Sequence, residues 1–301
     1  MKLLNILLLN MFLILTIICC SDDDDDDYDD SAFLIRDASV QGAADDEILK
    51  SYLETHFYNY DDFNQSPGDY SISIKLDTIE GSNSNKIPLI NFVEEKEIPI
   101  RQDGVDIPQK LYYIVIREGK GSTPYNVDST FVSYKGQLTN GFIFDQRDVP
   151  IWFDLAKVVK GFRMGITSLK SGTFDINSNG TYDFSNYGQG LFFIPSALGY
   201  YNNSVGGIPE YSPLIFSVNF YTLSTTDHDS DGLDSYMEDI DEDGDPLNDD
   251  SDQDGAPNLY DPDDDNDGVF TINELDKNGD GIIDDSDGDG TPDYLDPNIS
   301  N

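Results

Sequence analysis

The sequence predicts an α+β domain, an antiparallel sheet wrapped on one short helix, followed by an irregular repeat tail stabilised by Ca2+. Two patterns carry this. In the middle of the 301-residue chain, runs of alternating apolar residues flank a single stretch of helical spacing. From Asp227 onward, one acidic phrase recurs with a glycine at a fixed place. Charge is distributed just as unevenly. Residues 227–296 hold 28 of the 59 acidic residues against one base, Lys277, and residues 22–30 hold eight more. The net charge of −42 therefore belongs mainly to two segments. Such a chain repels nucleic acid, and divalent cations are its natural counter-ions.

The first element is a targeting segment, residues 1–20. Lys2 precedes an apolar run over residues 3–18, then Cys19-Cys20-Ser21. The run is short for a membrane span and suits a signal-peptide core. It resembles a bacterial lipoprotein signal, which implies cleavage before a cysteine that then carries lipid. Cys20 is the favoured site, with Ile17 three residues before the cut, and Cys19 is the alternative. Residues 21–45 read as an acidic linker, a self-repelling tether that also looks like surface-export signals of some Gram-negative lipoproteins. Both cysteines lie in the leader, so the remaining chain has no disulfide.

Residues 46–106 read as an N-terminal extension. A helix is expected over residues 46–58, from Ile48, Leu49, Tyr52, Leu53 and His56, with Asp45 and Asp46 supplying the cap. His56 has no partner motif and reads as structural. Extended pieces follow at residues 72–76, 87–92 and 97–100.

Residues 107–224 form the main domain. Residues 111–116 and 132–138 alternate as strands, and residues 192–195 and 213–223 return to strands. Between them Val159, Phe162, Ile166 and Leu169 form one helical stripe closed by Gly172. A polar stretch over residues 173–191, rich in Asn, Gly and Ser, reads as a surface loop.

This region also carries an ordered set of motifs. Tyr134-Lys-Gly-x-Leu leads to Phe144-Asp145, then Val158-Val159-x-Gly161-Phe162, Ile194-Pro-x-x-Leu-x-Tyr200, Ile208-Pro209 and Leu214-Ile-Phe216. The order resembles the FKBP-type peptidyl-prolyl cis/trans isomerases, and the resemblance implies an FKBP-like fold. It also implies a pocket lined by Tyr134, Phe144, Asp145, Val158, Val159, Phe162, Tyr200, Ile208 and Phe216. By the same resemblance Asp145 lies beside the substrate carbonyl, the Val159 N–H grips the ligand, and the Tyr200 hydroxyl donates to a carbonyl. Phe162 stands where the family has a pocket-floor tryptophan, a smaller aromatic floor. Trp152 is nearby in sequence, but the motif register assigns the floor to Phe162.

Such a pocket needs no acid, base or metal. Rotating an X-Pro bond breaks amide resonance over a barrier of about 18–20 kcal/mol. The twisted amide has lost charge separation and suits a dry apolar site better than the planar amide does. No cofactor is expected for catalysis, and the expected partners are proline-containing polypeptides.

The tail, residues 225–301, repeats acid-x-acid-x-acid-Gly at Asp227/Asp229/Asp231, Asp239/Asp241/Asp243, Asp250/Asp252/Asp254, Asp263/Asp265/Asp267, Asp276/Asn278/Asp280 and Asp285/Asp287/Asp289. Oxygens at positions 1, 3 and 5, glycine at 6 and an acid at 12 make a Ca2+ loop. Position 12 is filled by Glu238, Asp250, Asp261, Glu274, Asp287 and Asp296, and Asn258 and Asp293 occupy position 9 of loops three and six. Loop two begins directly after Glu238, so no EF-hand helix fits between loops. The spacing resembles thrombospondin type 3 repeats, which implies a structural string of Ca2+ ions with little apolar core.

Two functions fit. One is a lipid-anchored isomerase that assists folding of exported proteins at the bacterial outer membrane, held there by its N-terminal lipid. The other is a non-catalytic binding or adhesion module on a Ca2+-stiffened surface stalk.

Overall fold

The computed structural model describes residues 35–299. The leader with Cys20, and the acidic run that follows it, lie outside them. Among the described residues no helix is long and apolar enough to cross a membrane.

Helix α1, Ala38–Thr55, begins eight residues earlier than the spacing predicts. Its cap is Asp37, whose carboxylate accepts from the Ser39 and Val40 N–H groups. Asp45 and Asp46 are interior instead. Asp45 is fully buried and accepts the Ser196 N–H at 2.7 Å and the Ser196 hydroxyl at 2.6 Å. Asp46 accepts the Tyr112 hydroxyl at 2.6 Å. The buried face of α1 thus includes Gln41 and Asp45 beside Leu49, Tyr52 and Leu53, which hides its period from an apolar count.

Strand β1, His56–Tyr58, follows, then α2, Tyr60–Gln65, and β2, Leu76–Thr78, which pairs antiparallel with β1. His56 stacks on Tyr52, with ring centroids 3.7 Å apart. Residues Leu89–Asn91 form a 3-10 turn where extended chain was expected. The main sheet then assembles from β3, Glu94–Gln102; β4, Val105–Arg117; β5, Ser129–Leu138; and β6, Ile143–Asp154. Helix α3, Lys160–Ile166, is followed by a hairpin of β7, Thr173–Ile176, and β8, Tyr182–Ser185. Strands β9, Gly188–Ile194, and β10, Leu214–Ser224, complete the order β3-β4-β9-β10-β5-β6, with every pair antiparallel.

The β7–β8 hairpin corrects the expected surface loop. Phe174 pairs across with Phe184 and Ile176 with Tyr182, so an apolar ladder runs through the polar stretch.

The sheet is covered on both faces. Tyr134, Val218, Phe192 and Phe216 pack with Phe162, Ile166 and Leu169 on the helix side. Tyr112, Leu191, Phe193 and Ile215 pack with Leu49, Leu53, Phe63 and Leu89 of the N-terminal extension on the other. Neighbours such as Phe192 and Phe193 point to opposite faces, which explains the unbroken apolar run through β9.

The tail contains no α-helix or strand among the described residues, only 3-10 turns such as Ser235–Glu238, Asn258–Tyr260, Thr271–Asn273 and Asp293–Leu295. In every loop positions 4 and 6 are left-handed, as at Ser230 and Gly232 with φ of 69° and 100°. Glycine at 6 meets that demand at no steric cost.

Asp45→Ala removes the acceptor of two buried donors on Ser196. The expected cost is about 2–3 kcal/mol, read as a lower urea midpoint by near-UV circular dichroism. An unchanged midpoint contradicts the role given to Asp45.

Candidate functional site

The helix side of the sheet gathers the predicted aromatic residues. Phe162, from α3, is buried to 1 % exposure at the centre. Its ring centroid lies 5.2 Å from Phe216 of β10, 5.5 Å from Phe153 of β6 and 6.4 Å from Tyr134 of β5, each edge to face. Phe144 meets Phe216 at 5.5 Å. Such tilted contacts add to area burial and fix ring orientation.

Close approach here depends on Gly136. A Cβ on it would lie 2.5 Å from the Phe144 ring and 2.9 Å from Phe216. The Tyr-Lys-Gly motif therefore keeps room for two walls of the site.

The polar groups of the site are few. The Tyr134 hydroxyl donates to the Asp145 carboxylate. Burial, then that carboxylate, pushes the Tyr134 phenol up. Burial and nearby Asp145 also raise Tyr200, so its hydroxyl stays protonated well above neutral pH. Neither the Tyr200 hydroxyl nor the Val159 N–H, at the N-cap of α3, makes a hydrogen bond among the described residues. Both donors are unspent. Phe144, Val158, Val159 and Tyr200 are half-buried against the cluster, whereas Tyr134, Phe162, Ile208 and Phe216 are buried. The rim residues are thus half-buried and the aromatic floor is closed.

All nine predicted residues thus join one packed cluster or bond to it. Phe153 was missed. Its signal was present in β6, where Ile151 and Phe153 face the core while Trp152, between them, is 53 % exposed. Trp152 packs instead on Phe131, apart from the floor.

Comparison with known proteins agrees over this region. Residues 120–221 match the FKBP_C family, described as FKBP-type peptidyl-prolyl cis-trans isomerase. The chain is 32% identical over 130 residues to the FKBP-type peptidyl-prolyl cis-trans isomerase FkpA of Escherichia coli, covering 42% of this chain and 40% of that protein. A probable FKBP-type isomerase of Haemophilus influenzae is 33% identical over 42% of this chain and 46% of its own. The isomerase Mip of Coxiella burnetii is 30% identical over 38% of this chain and 44% of its own. Residues 120–221 are an FKBP-type domain. The chain spans less than half the length of these relatives.

The tail grips the FKBP-type domain at α3. Asp245, in loop two, lies 2.8 Å from the Lys160 ammonium and 2.7 and 2.9 Å from the two terminal nitrogens of Arg163. Burial opposes ionisation of Asp245, but Arg163 and Lys160 outweigh it and hold the carboxyl below its ordinary range. Asn126 donates to the Gly244 carbonyl at 2.8 Å, Tyr125 stacks on Tyr236 at 3.7 Å, and the His228 Nε2 lies 3.1 Å from Asp154.

Loops one, three and four gather oxygens as the spacing predicts. Asp227, Asp229 and Asp231 bring ligand atoms within 4.8 Å of one another, as do Asp250, Asp252 and Asp254, and Asp263, Asp265 and Asp267. In five loops the carboxylate at position 1 accepts the N–H of Gly at 6, as Asp239 does from Gly244 at 2.9 Å.

Loop two gathers a carboxylate outside the counted set: Asp249 brings a ligand atom within 4.8 Å of those of Asp239 and Asp241, and Asp250, which loops two and three share, lies in the loop three trio. Asp243, predicted as the position 5 ligand, is absent from that trio. It is exposed, and it accepts the Asp245 N–H at 2.8 Å and the Asn248 side-chain amide at 3.1 Å. Asp249 stands at position 11 of loop two, where the other loops have Met237, Tyr260, Asn273, Ser286 and Leu295, so a count of positions 1, 3, 5 and 12 does not select it.

In loops five and six Asn278, Asp280 and Asp289 are exposed. Asn278 donates to the Asp284 carboxylate at 2.5 Å and accepts the Asp280 N–H at 3.0 Å. Asp280 accepts the Ile282 N–H at 2.9 Å, and Asp289 accepts the Thr291 N–H at 2.8 Å.

Several buried oxygens in the tail have no hydrogen-bond partner among the described residues, including those on Asp229, Asp239, Asp252, Asp265, Asp267 and Glu274. Burial and neighbouring carboxylates push Asp229 up to about 7, Asp265 to about 6 and Glu274 to about 7. The donors are all oxygen, which fits a hard divalent cation.

Asp245→Ala leaves Arg163 buried without its carboxylate. The expected loss is about 3–5 kcal/mol, measured as the shift of the domain's urea midpoint. No shift contradicts the anchoring role of this pair.

Proposed function

We propose that the FKBP-type domain catalyses cis/trans isomerisation of X-Pro bonds in exported polypeptides at the bacterial envelope. The observation that carries this is the ring cluster around Phe162, flanked by two unspent donors, Tyr200 and the Val159 N–H. A proline ring seats on Phe162, between Tyr134, Phe144 and Phe216. The Val159 N–H and Tyr200 hydroxyl then hold the flanking carbonyls while the amide twists. Asp145 is occupied by the Tyr134 hydroxyl, which fixes the wall and places a carboxylate beside the reacting amide. The site favours the twisted, less charge-separated amide because it is dry, and it moves no proton. The match of residues 120–221 and the names of the relatives support the same activity.

The leader supports attachment to the outer membrane through lipid on Cys20, with residues 21–45 as the tether. The tail supports a second component, a string of structural Ca2+ ions held by Asp227 to Asp296 in the manner of thrombospondin type 3 repeats. When bound, Ca2+ supplies the positive charge that the buried carboxylates lack. The unpartnered oxygens on Asp239, Asp265 and Glu274 support that fit.

A protease-coupled assay on a short X-Pro peptide tests the activity. The Tyr200→Phe, Asp145→Ala double variant is expected to lose at least about tenfold in kcat/KM, since one hydrogen bond strengthened in the transition state is worth about that much. Because no group titrates in the step, kcat/KM should stay within about twofold between about pH 6 and 9. Full activity in the double variant contradicts the pocket assignment, and a bell-shaped profile contradicts the mechanism.

Chelation should free the tail carboxylates to repel one another. Limited proteolysis with and without EDTA should then show faster cleavage after residue 225 without Ca2+. Identical digestion rates contradict Ca2+ binding by the tail.

A further inference from the structure

The acidic phrase leaves one carboxylate without a role, and the fold gives it one. Asp264 sits at position 2 of loop four, outside the 1, 3, 5 and 12 set, yet it is buried to 1 % exposure. Its ligand oxygen lies within 4.8 Å of those of Asp231 and Glu238 from loop one. Glu238 is fully buried, and among the described residues neither of its carboxylate oxygens has a hydrogen-bond partner. Asp231 and Asp264 each have one oxygen held by the protein and one unspent. Asp231 accepts the Leu233 N–H at 2.8 Å, and Asp264 accepts the Thr271 hydroxyl at 3.2 Å. The other oxygen of each has no partner.

Burying one carboxylate without a counter-charge is costly, and three together are worse. The charged groups bearing on Glu238 are Asp229, Asp231, Asp264 and Asp227, all of one sign. Oxygens on the shell of one Ca2+, at about 2.3–2.6 Å, lie within about 5 Å of each other, which the trio satisfies. With no nitrogen or sulfur donor, zinc is disfavoured.

We propose that Asp231, Glu238 and Asp264 hold a further Ca2+ that ties loop one to loop four, an ion the repeat pattern does not contain. The proposal rests on the tail being a cation-binding repeat and adds a long-range closure to it. The segment it closes, residues 239–263, carries Asp245, the contact to Lys160 and Arg163 on α3. The ion therefore fixes the part of the tail that grips the helix bearing the pocket floor. Locking a long loop at one point confines it at an entropic cost that the cation offsets.

Equilibrium dialysis of the full chain with radioactive Ca2+, comparing Asp264→Asn with the unchanged protein, tests this. The variant is expected to bind one ion fewer per chain and to be cut faster within residues 239–263. Combining Asp227→Asn with it should remove one further ion, because Asp227 belongs to loop one and not to the trio. Tb3+ gives a second readout that leaves every ligand in place. The buried Tyr294 ring lies near this trio, so Tyr294→Phe should lose part of the tyrosine-sensitised Tb3+ emission while Ca2+ stoichiometry stays unchanged. Equal stoichiometry in Asp264→Asn, or undiminished emission in Tyr294→Phe, overturns the proposal while leaving the loop sites standing. Absence of Ca2+ binding by the unchanged protein overturns both.

Discussion

The burial of Phe162 is the interaction on which site and fold depend together. Helix α3 has seven residues, too few to hold a helical shape by itself. Its orientation is imposed from both sides. The sheet receives Phe162 and Ile166, and Asp245 of the tail receives Lys160 and Arg163. Gly161 permits the contact with β9, because a Cβ there would lie 2.2 Å from Ile194. The same placement leaves the Val159 N–H at the helix start without an acceptor among the described residues, beside the aromatic floor. A structural constraint and a functional donor thus arise from one short helix.

The second face of the sheet explains the N-terminal extension. An FKBP-type sheet wrapped on one helix leaves its far face open to water. Here α1 and the segment through Leu89 cover it, burying Phe193, Ile215 and Tyr112. Asp45 pins α1 through Ser196, in the turn just after β9. The extension thereby shares β9 with the seat. Phe193 faces α1 while Phe192 packs against Phe162.

The residues of the seat were legible because an apolar catalyst is written in ordered aromatics. Phe144 with Asp145, and the pair Val158 and Val159 before Phe162, have few other reasons to occur in that order. Phe153 escaped because, alone, an aromatic in a strand reads as core. The start of α1 escaped because Gln41 and Asp45 are polar yet buried, so an apolar period found only the second half of the helix. The β7–β8 hairpin escaped because its Asn-rich turn outweighed Phe174, Tyr182 and Phe184 in a compositional reading. In the tail, spacing identified the loops but neither their burial nor their long-range partners. One phrase covers the buried Asp231 and the exposed Asp243, Asp280 and Asp289 alike. Asp249 stands at position 11, outside the counted set, and Asp264 depends on loop four folding back on loop one, which no local pattern encodes.

The central claim is that a single proline seats on the Phe162 floor beneath the α3 N-terminus. The most direct measurement is an NMR titration of the protein with an X-Pro peptide, following aromatic and amide resonances. The account predicts saturable shifts at Phe144, Phe162, Phe216 and the Val159 amide, with Trp152 unmoved. Shifts centred on the exposed ring of Trp152, with the Phe162 cluster silent, would contradict it.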